Sequence, residues 1–246
     1  IEWVGCIDWT VRDFHGYETD RGTSYNAYLI QDEKTVLVDA VRDAFADRLL
    51  ANVARLTDFA DVDYVICHHA ELDHAGAFPE VMRAMPNATV VCTSSCRKAL
   101  GDHFDISDWK FEIVKTGVEM SIGRRTLQFI NTPMVHWPES MATFVPEDGI
   151  LFSMDAFGQH YACSGRFDDE ASLETALEEA QTYYANIGMP YGKPVGRILR
   201  KLDDADLRMI APSHGVIWRR HVSEILKRYG DWSSGKVGNK VLVVYD

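Results

Sequence analysis

Seven side chains of metal-binding type stand at the ends of apolar runs in this sequence. His69, Glu71, Asp73 and His74 crowd into one short stretch directly after the apolar run 64–67, and a Gly-containing turn follows at Ala75-Gly76-Ala77. In an extended or turning backbone, His69, Glu71 and Asp73 alternate onto one side and His74 follows at once. Carboxylates and imidazoles packed this closely need positive charge among them, and two bound cations would supply it. The stretch therefore reads as half of a two-metal site. Three later strand ends offer the rest: His136 within Thr132-Pro133-Met134-Val135-His136, Asp155 directly after run 150–153, and His214 after run 208–211. A single His after a strand is ordinarily a surface or hydrogen-bonded residue. Three such ends, taken with the cluster, make a pattern.

The elements that must carry these groups are legible from periodicity. Residues 4–9, 25–30 and 35–39 read as strands. Residues 45–56 have helical spacing, with Phe45, Leu49, Leu50, Val53 and Leu56 on one face. A strand at 64–67, a helix at 78–85 and a strand at 88–92 follow. Ser94 or Ser95 is placed to cap a helix that runs to Leu100. Short strands are expected at 112–114, 126–130, 142–145 and 150–153. Helices are expected from Ser172 to about Ala185 and at 194–202, then a strand at 208–211 and a helix at 222–229. Residues 233–236 read as a linker, and 239–246 as a buried strand. That strand either opens another domain or is the last strand of the main sheet.

Composition sets the frame. The chain has 246 residues, 46% hydrophobic and 25% charged, enough for a large core. A net charge of −12 argues against nucleic acid or an anionic membrane as the main partner. No apolar run approaches a membrane span, and Ile1-Glu2-Trp3-Val4-Gly5 does not have the pattern of a signal peptide. The missing initial Met is read as trimming or a late start. Five scattered cysteines, Cys6, Cys67, Cys92, Cys96 and Cys163, fit a reducing cytoplasm better than a disulfide framework. Cys92 and Cys96 either face each other on a helix, clip a metal, or are ordinary buried residues.

The spacing His-x-Glu-x-Asp-His, followed by His, Asp and His on later strand ends, resembles the metallo-β-lactamase superfamily. The implied fold is of the α/β (α+β) class, an αββα sandwich with its site at one edge of two packed sheets. Hydrolases of that superfamily usually carry His-x-His-x-Asp-His, and here Glu71 takes the place of the second His. That exchange resembles the flavodiiron proteins. So do Trp9-Thr10-Val11-Arg12-Asp13-Phe14-His15-Gly16-Tyr17, Gly22-Thr23-Ser24-Tyr25-Asn26, His136-Trp137-Pro138-Glu139-Ser140-Met141 and Asp155-Ala156-Phe157-Gly158. The likeness is to the rubredoxin:oxygen oxidoreductases of anaerobic bacteria and covers nearly the whole chain.

The resemblance implies two non-haem irons about 3.5 Å apart. By analogy one takes His69, Glu71 and His136, the other takes Asp73, His74 and His214, and Asp155 bridges them. For His74 the alternative is a hydrogen-bond donor behind the metals. Carboxylate is a harder ligand than imidazole and suits oxidised iron, which makes sense of Glu71. The implied activity is reduction of O2 to water or of NO to N2O. Electrons would come from rubredoxin through FMN on a flavodoxin-like domain of a second subunit in a head-to-tail homodimer. Tyr25 and Tyr184 are candidate donors to bound oxygen or NO, and His160 a candidate pocket residue. No Ser/Thr/Gly-rich loop for the FMN phosphate occurs, and residues 240–246 resemble the first flavodoxin strand. The expectation is a di-iron domain over 1–232, with 233–246 a linker and the first strand of a missing flavodoxin-like domain. The alternatives are a zinc hydrolase of the same fold, thioesterase- or glyoxalase-like, and a non-catalytic scaffold. Glu71 speaks against the first and the full ligand set against the second.

Overall fold

The computed structural model describes residues 1–203 and 205–235. The strand expected at 239–246 lies outside the described residues. The chain begins with β1 (Glu2–Trp3), β2 (Cys6–Asp8), β3 (Asp13–Phe14), β4 (Tyr17–Glu18) and β5 (Thr23–Tyr25). It continues with β6 (Tyr28–Gln31), β7 (Thr35–Val38), α1 (Ala46–Val53), β8 (Val62–Ile66), α2 (Leu72–Ala75), α3 (Phe78–Ala84) and β9 (Thr89–Cys92). Then come α4 (Ser94–His103), β10 (Lys110–Ile113), β11 (Glu119–Ser121), β12 (Thr126–Asn131), β13 (Met141–Val145) and β14 (Ile150–Met154). The last elements are α5 (Leu173–Tyr183), α6 (Gly192–Leu202), β15 (Met209–Pro212) and α7 (Val222–Ser233).

Two sheets dominate. The first has the order β1-β6-β7-β8-β9-β10 and the second β11-β12-β13-β14-β15. From β7 to β10 the first sheet is parallel, which is why the inner strands β7 and β9 read as largely apolar, buried runs, while β10 at the edge is mostly exposed. Alternation along β7 splits its side chains between two cores. Val36 and Val38 join Ile66, Leu127, Phe129 and Phe152 between the sheets. Leu37 faces the other way, into a core with α1, α3 and α4 through Leu49, Phe78, Val81 and Leu100. A third core lies between Phe144, Leu151 and Ile210 of the second sheet and Ala176, Ala180, Val195 and Ile225 of α5, α6 and α7. Three cores between four layers give helix–sheet–sheet–helix.

Several expected bounds move. The run 25–30 is broken at Asn26-Ala27, because the Asn26 amide N–H leaves the sheet to donate to Ser213 O at 2.8 Å. Thr93, rather than Ser94 or Ser95, caps α4, its hydroxyl accepting from Cys96 N at 3.0 Å. Cys92 is the last residue of β9 and so does not share a helix with Cys96. The final helix runs past Tyr229 to Ser233, so the first residue of the expected linker is helical. The metal-type stretch is itself partly helical. Glu71 is extended at the N-cap position of α2, and Asp73 and His74 lie on that one turn, not alternating along a strand.

Candidate metal centre

The C-terminal ends of β7, β8, β14 and β15 and the loop after β12 meet at one edge of the sandwich. The first is pinned by Asp39, which follows β7 with φ at 57°. Its carboxylate accepts from His68 N at 2.8 Å and from His68 Nδ1 at 2.7 Å. With Nδ1 donating, His68 Nε2 is left to accept the Thr143 hydroxyl at 2.7 Å. The buried row Asp39–His68–Thr143 thus ties the end of β8 to both sheets and fixes the direction of the next residue, His69.

His69 is fully buried and donates from Nδ1 to Glu139 Oε1 at 2.7 Å. That bond turns Nε2 inward, 3.1 Å from Glu71 Oε2 and 3.5 Å from Asp155 Oδ2. His136 brings its Nε2 to 3.2 Å from Glu71 Oε2 and 3.3 Å from Asp155 Oδ2. On the other side, His214 donates from Nδ1 to Ser24 O at 2.7 Å and turns Nε2 to 3.1 Å from Asp73 Oδ2. His74 Nε2 lies 3.3 Å from Asp73 Oδ2 and 3.2 Å from Asp155 Oδ1. Asp155 therefore offers Oδ2 to one pair of imidazoles and Oδ1 to the other, His214 included at 3.4 Å.

All seven expected side chains converge. His69, Glu71, His136 and Asp155 form one set of donor atoms within 4.8 Å of one another; His74, Asp155 and His214 form a second, and His15, Asp73 and His214 a third. The convergence fits bound cations on two grounds. Buried Asp73 Oδ1 and Oδ2, Asp155 Oδ2, and Nε2 of His15, His74, His136 and His214 have no hydrogen-bond partner, and polar atoms do not normally stay buried that way. The field is also strongly negative. Burial would lower the imidazole pKa values, yet the carboxylates outweigh it and hold His69 and His214 up at about 10 and His136 at about 9. For Glu71 burial acts upward, but His136 and His69 bring it down to about 2. A site that draws protons this firmly draws metal cations too.

A cavity of about 590 Å³, walled by Phe14, Arg42, Phe104 and Trp137, opens onto Glu71 and Asp73. It gives small molecules a way to the cluster.

Residues 23–215 match a family model described as ODP family beta lactamase. The chain belongs to this family. It is 45% identical over 250 residues to a nitric oxide reductase of Moorella thermoacetica, covering 100% of this chain and 63% of that protein. It is similar to the flavodiiron protein from Giardia intestinalis, with a TM-score of 0.93 and 39% identity over 95% of this chain and 57% of that one. A rubredoxin oxygen:oxidoreductase from the anaerobe Desulfovibrio gigas gives a TM-score of 0.93 and 38% identity, over 96% of this chain and 60% of that one. The chain spans between half and two thirds of the length of the curated relatives it matches. The metallo-β-lactamase-like sandwich and the likeness to flavodiiron proteins are thereby established.

In this ODP-family chain the side chains expected around the cluster are partly different ones. His160 does line it, its Nδ1 2.8 Å from Thr23 Oγ1 and its Nε2 3.1 Å from His15 Nδ1. Burial, with His214 and His15 beside it, holds its pKa well below the usual imidazole value. Tyr25 packs its ring 6.1 Å from that of His214, but its hydroxyl donates to Asp8 at 3.4 Å, away from the cluster. Tyr184 is buried in the third core, its ring against Tyr229 and Trp232 and not against the cluster. The tyrosine that reaches the cluster is Tyr183, which donates to Asp155 Oδ1 at 2.7 Å. Helical spacing does not separate the two, since both tyrosines continue the buried row of Ala176 and Ala180; only the contact with Asp155 does. His15 was also passed over. It sits at the β3–β4 turn with φ at 53° and Nε2 3.5 Å from Asp73 Oδ2. Glu139 lies inside a quoted motif, and only its contact with His69 shows its use.

Proposed function

We propose that this chain is the di-iron domain of a flavodiiron reductase that takes dioxygen to water or nitric oxide to nitrous oxide. The observation that carries the reading is the donor set: two groups of imidazoles divided by Asp155, with Glu71 where zinc hydrolases of this fold place a histidine. In this reading one iron is held by His69, Glu71 and His136, the other by Asp73, His74 and His214, with Asp155 between them. The relatives named nitric oxide reductase and the solved flavodiiron structures support the reductase class. A pair of irons, when bound, supplies open coordination positions and electrons for the diatomic substrate.

The chain's own residues do the rest. Glu139 and Ser24 O fix the two imidazoles that face each other across the site, His69 and His214, by holding their outer nitrogens. Tyr183 keeps its proton, because burial and Asp155 push its pKa well above the usual phenol value. It therefore acts as a donor at Asp155 Oδ1. His15 Nε2 and the aromatic wall of Phe14 and Trp137 shape the approach from the cavity. Electrons are proposed to arrive from rubredoxin through FMN on a flavodoxin-like domain of a second subunit, in a head-to-tail dimer. Residues 1–232 would then be the di-iron domain and 233–246 the lead into the flavin domain. The five free cysteines support a reducing, cytoplasmic setting. Among the described residues no helix is long and apolar enough to cross a membrane.

The test is metal analysis followed by turnover. The chain loaded under anaerobic conditions should hold near two irons, and should consume O2 or NO when reduced FMN or a flavodoxin-domain partner is supplied, with little turnover otherwise. Two zincs from iron-rich growth, together with hydrolysis of thioesters, would overturn the reading in favour of a hydrolase.

A further inference from the structure

Cys67 stands at the end of β8, two residues before His69, and Cys96 in the first turn of α4. Both are fully buried, and their sulfurs are 3.5 Å apart. The Cys67 thiol donates to His69 O at 3.3 Å, and the Cys96 thiol also lies 3.7 Å from Cys67 O. Cys92, the last residue of β9, is a third fully buried thiol that Cys96 influences, its pKa pushed up by Cys96 and by burial. Nothing in the centre described above uses these sulfurs.

A disulfide spans about 2.05 Å between sulfurs, so a pair already in van der Waals contact lacks only the last approach. Its two halves are held by different elements, a sheet strand and an outer helix. Closure would require a small shift of α4 over the sheet. We propose that Cys67 and Cys96 are a reversible oxidation site, closed to a disulfide by hydrogen peroxide. The step balances within the named reactants. The peroxide O–O bond breaks, an S–S bond forms, and the two thiol hydrogens leave with the two oxygens as two waters. The pair is oxidised by two electrons and the peroxide reduced by two. Hydrogen peroxide is small and uncharged, and local opening of the outer helix admits it.

The cross-link would act on the metal centre through its backbone. It removes the S–H donor from the His69 carbonyl. It also ties β8 to α4, whose cap residue Thr93 donates from its hydroxyl to Glu139 O at 3.0 Å. The His69–Glu139 bond would then be framed by a covalent tie beside His69 and, through Thr93, a hydrogen bond to the backbone of Glu139.

The experiment uses the metal-loaded full chain. It is exposed to hydrogen peroxide without oxygen, quenched with catalase, unfolded in an alkylating agent, digested and weighed by mass spectrometry. The expected product is a peptide pair joined through Cys67 and Cys96, two hydrogens lighter than the free thiols and released by dithiothreitol. Cys92→Ser should still give it and Cys96→Ser should not. Full alkylation of both cysteines, sulfinic acid without a link, or a link between Cys92 and Cys96 would each overturn the proposal.

Discussion

The hydroxyl of Tyr183 donates to Oδ1 of Asp155 at 2.7 Å, the oxygen that also faces His74 and His214. A proton donor on one oxygen of a carboxylate leaves the other oxygen the stronger ligand, so the phenol distinguishes the two halves of the centre. Tyr183→Phe removes that donor without changing the packing. It is expected to lower turnover about 10–100-fold, the usual cost of losing a partner behind a metal ligand. Tyr184→Phe, in the core beside Tyr229 and Trp232, should leave turnover at the parent level. Equal effects of the two substitutions on steady-state O2 or NO consumption would remove Tyr183 from the machinery.

Glu139 holds His69 Nδ1 at 2.7 Å and takes Ala70 N at 3.3 Å. It is buried, and although burial raises its pKa, His69 brings it below the usual carboxylate range. As a carboxylate it fixes the tautomer that leaves Nε2 as a metal donor. Glu139→Gln should therefore weaken metal binding by about 10–100-fold with the fold intact. Competition with a chromophoric chelator measures this directly. Unchanged affinity would mean that the Nδ1 contact only fills space.

The metal-type residues were legible because each follows an apolar run, and a strand end is a place where a short sequence decides where a side chain points. His15 was not legible, because its contact with Asp73 joins positions far apart through a tight turn with left-handed backbone. No periodicity reports such a contact. Tyr183 and Tyr184 are adjacent and both buried, and α5 passes into a single π turn at Tyr184–Gly188, so helical spacing does not say which of them reaches Asp155. The expected alternation through Asp73 failed for a local reason. After Glu71 the backbone turns into α2, with His74 and Ala75 donating their N–H groups back to Glu71 O at 3.0 and 2.8 Å.

Glu71 is the position at which this ligand set departs from that of zinc hydrolases. Its carboxylate lies 3.1 Å from His69 Nε2 and 3.2 Å from His136 Nε2, and adds a third negative charge to Asp73 and Asp155. Glu71→His withdraws that charge and offers a softer donor. Grown with both metals present, the variant should carry zinc as its majority metal where the parent is expected to carry iron. Elemental analysis decides the matter, and unchanged iron content would show that the other six ligands set the preference.

Proton release should accompany metal loading. With the imidazoles of His69 and His214 held up at about 10 and that of His136 at about 9, all three carry protons at neutral pH before metal arrives. A metal takes the nitrogen only when the proton leaves. Zinc added to the metal-free chain at pH 7 in weak buffer should acidify the solution, by up to one proton from each imidazole. Apparent affinity should rise with pH through the neutral range and level off between about 9 and 10. Metal uptake without acidification of an indicator dye would contradict the electrostatic account of the site.

Asp168 stabilises the start of α7 through the backbone that leads into it. One oxygen accepts Arg219 N at 3.0 Å and Arg220 N at 3.1 Å; the other accepts His221 N at 2.7 Å and His221 Nδ1 at 2.8 Å. Burial raises its pKa, but these donors outweigh it and bring the group below the ordinary carboxylate value. A carboxyl group with a depressed folded pKa binds fewer protons folded than unfolded. Its contribution is therefore present above the unfolded value near 4 and is lost as pH falls below it. Asp168→Asn keeps one acceptor and sets an amide against the two His221 donors, at a cost of about 2 kcal/mol. In urea unfolding the parent should hold that advantage at pH 7 and lose it progressively as pH falls below about 4 and through the lowered folded pKa. A variant that matched the parent at pH 7 would show that the α7 start is held by its packing through Val222 and Ile225 alone.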